Sequence, residues 1–387
     1  MQIQVAKRLQ GTEEYYFSKK LREIDEMNQT GTRVINLGIG SPDLPPHPSV
    51  VATLHEQAAL STTHAYQGYK GIPALRKAMA DWYQRYYQVT LNPDTEVLPL
   101  IGSKEGIMHI CMTYLQEGDE ALIPNPGYPT YRSAVNLSGA TIVEYDLEEA
   151  NGWLPDLDAL AQKDLSRVKL MWVNYPHMPT GAKVNKEFAA KLIAFAKQHN
   201  ILICHDNPYS FILNEQPESL LQFEGAKDVV LELNSLSKSS NMAGWRVGML
   251  VGKAAWISEV LRFKSNMDSG MFQPLQMAAA TALQLDKSWY DDLNKIYRAR
   301  REKVFQLLDL LGCTYDKNQV GMFVWAKIPA IYADGYTLSD EVLHNARVFI
   351  TPGGIFGSNG NGYIRISLCQ DEKVFQEAID RIKTARQ

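Results

Sequence analysis

Between about residues 95 and 252 the chain alternates short β-branched or apolar runs with loops and amphipathic stretches. The runs lie at 95–101, 121–124, 140–145, 169–174, 201–205, 229–233 and 247–251, and predict seven strands. Asn185 to Asn200 predicts a helix. Asn185 can cap it, and Phe188, Leu192 and Phe195 form one apolar stripe with charged residues opposite. A second helix is expected at 102–115. Strands alternating with helices imply a mostly parallel sheet covered on both faces. Before this region, 13–28 reads as an amphipathic helix with Phe17, Leu21 and Ile24 on one face. After it the pattern changes. A long charged helix at 284–311 leads into a varied α+β segment with turns at Gly353-Gly354 and Gly357-Ser358-Asn359-Gly360. The expected fold class is α/β, with three parts. A large domain at 46–283 holds a mostly parallel seven-stranded sheet between helices, and a smaller α+β domain occupies 284–387. The arm at 1–45 contributes to the smaller domain.

Composition narrows the function. The 387 residues are 45% hydrophobic and 21% charged, which suits a globular protein with a large core. A net charge of −4 speaks against a nucleic-acid surface and for a small-molecule enzyme. Cys111, Cys204, Cys313 and Cys369 are scattered, so reduced core thiols are expected and no metal site. The start, Met1-Gln2-Ile3-Gln4, lacks a signal peptide's apolar segment, and no run approaches membrane-spanning length. The expectation is a cytoplasmic enzyme without a membrane partner.

In parallel sheets, sites form at the carboxyl ends of strands. Gly102-Ser103-Lys104, Asp206, Tyr209 and Lys238 all follow predicted strands. Lys238 lies in SLSKSSNMAGWRVG, after the apolar run Val229–Leu233 and before small residues. That is a poor place for a surface lysine and a good one for a lysine that condenses with an aldehyde. Ser235 and Arg246 supply a hydroxyl and a fixed positive charge for a phosphate, and an aldehyde carrying a phosphate is pyridoxal phosphate. Competing chemistries lack their partners. Ser-x-x-Lys has neither Ser-Asp-Asn nor Lys-Thr-Gly to complete a penicillin-binding site. His55-Glu56 is followed by Ala59 where a zinc protease needs its second histidine. Gly38-Ile39-Gly40 lacks the third glycine of a dinucleotide fingerprint.

The segments NLGIGSPDLPP, YQGYKGIPALRKAMADWY, IGSKEGI, PNPGYPTY, PTG, HDNPYS, SLSKSSNMAGWRVG and TPGGIFGSNGNGYIRISL, in this order, carry a resemblance over almost the whole chain. It is to the class I/II pyridoxal-phosphate aminotransferases of fold type I. GSKEGI, PGYP and NMDSGMFQPLQ look most like the LL-diaminopimelate and aspartate aminotransferase-like branch. The resemblance implies Lys238 as the Schiff-base lysine, Asp206 facing the pyridine nitrogen and Tyr209 donating to the phenolic oxygen. It implies a phosphate cup of Gly102, Ser103, Lys104, Ser235 and Arg246, with Tyr66 reaching in across a dimer interface. Tyr128 resembles the aromatic stacked on the cofactor, Arg365 the arginine for the substrate α-carboxylate, and Gly40 the glycine whose backbone approaches it. Side-chain specificity would fall to Tyr15, Tyr16, Ile39 and residues near Asp268–Phe272. One position departs from the pattern. Before Pro179-Thr180-Gly181 the family carries an asparagine for the phenolic oxygen, and this chain has Met178. Either Tyr209 acts alone there, or His177 or Asn174 takes over. The implied function is transfer of an α-amino group between an L-amino acid and a 2-oxo acid in a homodimer. A carbon–sulfur lyase on the same fold is the alternative.

Overall fold

Twelve strands and their connecting helices are built in a computed structural model that describes residues 3–10, 16–31 and 33–387. In chain order, a two-residue β1 (Ile35–Asn36) precedes the seven strands of the central sheet. These are β2 (Val97–Leu100), β3 (Glu120–Asn125), β4 (Thr141–Asp146), β5 (Val168–Asn174), β6 (Leu202–Asp206), β7 (Val230–Ser235) and β8 (Gly248–Val251). They lie in the order β2-β8-β7-β6-β5-β3-β4. β8 alone runs antiparallel to its neighbours, β2 and β7, and the other pairings are parallel. Each expected strand is present, with ends displaced by at most two residues.

The apolar runs are continuous because both faces of the sheet are covered. Successive side chains go to opposite faces. Met171, Val173, Ile203 and Val230 join one core with Leu75, Tyr83 and Leu192. Leu170, Trp172, Cys204 and Leu231 join the other with Ile107, Tyr131 and Val260. The helix Lys186–His199 shows how local signals set an element. Asn185 Oδ1 accepts the Phe188 amide at 2.8 Å, and Asn200 closes the helix in the left-handed region at φ 54°. Its Phe188, Leu192 and Phe195 are buried, each contributing roughly 1.5–3 kcal/mol of apolar transfer.

The C-terminal part holds β9 (Phe323–Lys327), β10 (Val348–Phe349), β11 (Thr351–Pro352) and β12 (Tyr363–Ser367). β11, β12 and β9 form an antiparallel sheet. The long helix Lys287–Leu311 and the helices Gly335–Ala346 and Glu372–Ala385 bury Val304, Leu308, Leu338 and Phe375 against it. β1 pairs in parallel with β10, Ile35 opposite Val348, which ties residues near the start of the chain to its last third. The first long helix is Tyr16–Gln29. Its Phe17 and Ile24 pack against Val34, Leu343 and Phe349, while Leu21 is half-buried. Residues 13–15 of the expected helix lie outside the described residues. All four cysteines are buried and free. Among the described residues no helix is long and apolar enough to cross a membrane.

Candidate active site

A cavity of about 330 Å³ opens at the carboxyl ends of the central strands. Its wall includes Ile39, Gly40, Ser103, Lys104, Tyr128 and Asp206. Tyr209, Ser235, Lys238, Arg246 and Arg365 complete the expected set around it. These eleven come from both ends of the sequence and share one space. Gly102 stands beside it as the residue before the helix Ser103–Tyr114. Tyr66 does not line the cavity and is 92% exposed. Tyr15 lies outside the described residues.

Lys238 sits in the connection between β7 and β8, partly buried in the cavity wall. Its Nζ donates to the Gly40 carbonyl at 2.5 Å and lies 5.9 Å from the Tyr209 ring centroid. Enclosure brings its ammonium down to about 8, with Arg365 and Arg246 acting in the same direction and Cys369 and Asp206 opposing. A lysine so placed can shed its proton near neutral pH.

Asp206 ends β6 and is buried. Burial pushes its carboxyl up to about 6, and the hydrogen bond from Tyr131 holds it from going higher. Tyr131 donates to Oδ2 at 2.8 Å, and Oδ1 is buried with no partner among the described residues. Tyr131 is itself stacked on Trp172, centroids 5.0 Å apart and planes 10° apart. Sequence reasoning passed over Tyr131. The signal was available, since PGYPTY places it three residues after Tyr128, in the first turn of the helix Pro129–Ser138.

The helix Ser103–Tyr114 starts at the cavity, and its first residues, Ser103 and Lys104, share the wall with Ser235 and Arg246. Ser103 Oγ donates to the Asn234 carbonyl at 3.0 Å, and Arg246 Nη1 donates to Ser237 Oγ at 3.3 Å. Gly102 has φ 84°, and a Cβ there would collide with the Arg246 guanidinium. Cations, hydroxyls and a helix N-terminus together suit a phosphate. With the orphaned buried Asp206 Oδ1 for a protonated ring nitrogen, the donor set fits pyridoxal phosphate.

Arg365 lies on β12 and lines the cavity. Its Nη2 donates to the Gly38 carbonyl at 2.7 Å. The guanidinium carbon is 3.9 Å from the Phe323 ring centroid, 4.7 Å from Phe356 and 5.8 Å from Phe17. From the sequence Phe17 stood out only as an apolar-face residue of its helix, and Phe323 and Phe356 not at all, because only the tertiary fold brings the three rings to one arginine. Met178 lines the cavity too, with its sulfur 3.3 Å from Arg365 Nη1. His177 does not line it. Its Nδ1 lies 2.8 Å from Thr180 Oγ1, and burial brings the ring down to about 3, keeping it neutral. Asn174 does line it, with Oδ1 accepting the Met178 amide at 2.7 Å and Nδ2 donating to the Asp206 carbonyl at 2.6 Å.

Residues 32–382 match the family model for class I and II aminotransferases. An LL-diaminopimelate aminotransferase of Dehalococcoides mccartyi is 41% identical over 382 residues, covering 98% of both chains. Transaminase BacF of Bacillus subtilis is 41% identical over 369 residues, 95% of this chain and 92% of that one. The structure of apo-BacF superposes with a TM-score of 0.95 at 40% identity, covering 99% of this chain and 98% of the other.

Proposed function

Because the chain belongs to the class I and II aminotransferases, the pyridoxal-phosphate-dependent transaminases, we propose that its cavity binds that cofactor and an L-amino acid through the residues described above. The relatives' names support transamination and not the carbon–sulfur lyase alternative. The observation that carries the site assignment is the convergence of Lys238, Asp206 and Arg365 on one cavity.

When bound, pyridoxal phosphate supplies a carbonyl carbon and a ring that accepts electron density. Ser103, Lys104, Ser235 and Arg246 would hold its phosphate, and Tyr128 would supply an aromatic face for its ring. Asp206, once ionised, would hold a proton at the ring nitrogen through its unpartnered Oδ1. Burial pushes the Tyr209 phenol up, so it stays protonated and acts as a donor. Lys238 first loses its proton, and as a free amine it removes the proton from substrate Cα. Arg365 takes the α-carboxylate in its planar fork and so aligns the Cα–H bond, beside the Gly40 carbonyl and Ile39.

The relatives' printed name makes LL-diaminopimelate the first amino donor to test. The rings of Phe17, Phe323 and Phe356 in the cavity wall favour, as a second reading, amino acids with apolar side chains. The exposed Tyr66, with Tyr69, Met267 and Phe272 also exposed, supports a homodimer in which Tyr66 completes a neighbouring site. The reading includes a cytoplasmic protein and the two domains at 46–283 and 284–387. A panel of amino acids assayed with 2-oxoglutarate and pyruvate tests the reaction. Absence of amino transfer across the panel, from protein that binds cofactor, would refute it.

A further inference from the structure

Behind Asp206, on the opposite face of the sheet, lies a second carboxylate that the chemistry above does not use. Glu232, in the middle of β7, is fully buried. Its Oε2 accepts from Ser219 Oγ at 2.7 Å and the Leu220 amide at 3.2 Å, and lies 2.8 Å from His205 Nδ1. Its Oε1 accepts from Tyr83 OH at 2.9 Å and Asn207 Nδ2 at 3.4 Å.

The partners of His205 define its protons. Nε2 lies 2.9 Å from the Tyr175 carbonyl, which can only accept, so Nε2 carries a hydrogen. Nδ1 faces a carboxylate that four other donors already stabilise in its ionised form. The Leu220 amide and the Asn207 amide nitrogen can only donate. The Asn207 orientation is fixed because the same nitrogen donates to the Glu218 carbonyl at 2.8 Å. An ionised Glu232 obliges Nδ1 to donate as well, which makes His205 an imidazolium.

His205 and Asn207 flank Asp206 in sequence. On a strand, neighbours one residue apart point to opposite faces, so both turn away from the cavity that Asp206 lines. Both are held by the one carboxylate of Glu232. His205 also fixes the Tyr175 carbonyl, at the start of the turn that carries Met178. We propose that Glu232 and His205 form a buried ion pair that positions Asp206, gripping the strand on either side of it and the turn of Met178 with it. The role rests on the assignment of Asp206 to the ring nitrogen. Glu232 and His205 are positioning residues, since neither lines the cavity.

The pair is tested first in the intact holoenzyme, without a variant in the measured sample. In protein carrying 15N-labelled histidine, with the His205 signals identified by their loss in His205→Gln, both ring nitrogens should show the shifts of a protonated imidazolium at about pH 7. Shifts of a neutral ring, one nitrogen bare, overturn the ion pair. The positioning role is tested with pyridoxal phosphate labelled at its ring nitrogen. Glu232→Gln should still take the cofactor onto Lys238, as borohydride fixation reports, but its ring nitrogen should lose a measurable part of its protonation relative to wild type. An unchanged signal in Glu232→Gln beside a shifted one in Asp206→Ala overturns the role of Glu232. An unchanged signal in both overturns the assignment of Asp206, and the proposal with it.

Discussion

Tyr131 donates its hydroxyl proton to Asp206 Oδ2 at 2.8 Å, and Oδ1 of the same buried carboxylate has no partner among the described residues. One oxygen is thereby fixed and the other kept available. Tyr131→Phe removes the donor while keeping the ring stacked on Trp172. A hydrogen bond to a charged group contributes about 1.5–3 kcal/mol. We expect kcat/KM to fall roughly 10- to 150-fold. Because the bond favours the ionised carboxylate, the acid limb of the pH profile should move to higher pH. A variant with wild-type kinetics and an unmoved acid limb would show that Asp206 needs no such donor.

Lys238 should be the point of covalent attachment. Borohydride treatment of the holoenzyme, followed by peptide mapping, should place the cofactor on Lys238 and on no other lysine. Label found elsewhere would remove the central assignment.

The same lysine predicts a pH effect on the cofactor-free protein. Its ammonium is brought from the usual 10.5 down to about 8, so the unfolded chain holds a proton that the folded chain sheds between those values. Raising the pH through that window therefore favours the folded state, by up to about 3 kcal/mol. Lys238→Met should lack this contribution. The stability of wild type minus that of the variant, from urea unfolding, should climb from about pH 8 to about pH 10. A flat difference would mean that the lysine is not held out of water.

Arg365→Lys should leave the bound cofactor's visible spectrum intact and raise KM by roughly 10- to 100-fold across several amino acids. A lysine cannot reproduce the planar two-point fork or the contact with the Phe323 face. Unchanged KM values would place the α-carboxylate elsewhere.

Met178 offers no donor to the cofactor's phenolic oxygen, and His177 is turned to Thr180. A donor at that oxygen favours its deprotonated form. Met178→Asn should therefore lower the midpoint of the cofactor's visible absorbance titration. If both proteins titrate together, Tyr209 or Asn174 already supplies the interaction.

Much of this protein was legible in its sequence because the signals are local. The seven apolar runs are strand-length and bounded by turn residues, and the Asn185 side chain caps its helix by accepting the backbone amide three residues on. The site residues that follow strands could be named from motif order alone. Other features had no local signal. β8 runs antiparallel inside an otherwise parallel sheet, and an apolar run of four residues carries no direction. Tyr66 could be named from its motif, yet the fold leaves it exposed and outside the cavity, because a motif fixes a residue's type and not where its side chain goes.

The sequence by itself determined which segments become strands and helices, and which residues can act as amine, acid and anion binder. Periodicity and residue chemistry are properties of neighbours along the chain. Only the tertiary structure decided how those groups are tuned. The 2.8 Å bond of Tyr131 to Asp206 joins residues 75 positions apart, and the His205–Glu232 pair spans two strands. The Arg365 guanidinium meets Phe17, Phe323 and Phe356 from three separate segments. Burial and the approach of distant charges set protonation, and both exist only once the chain has folded around them.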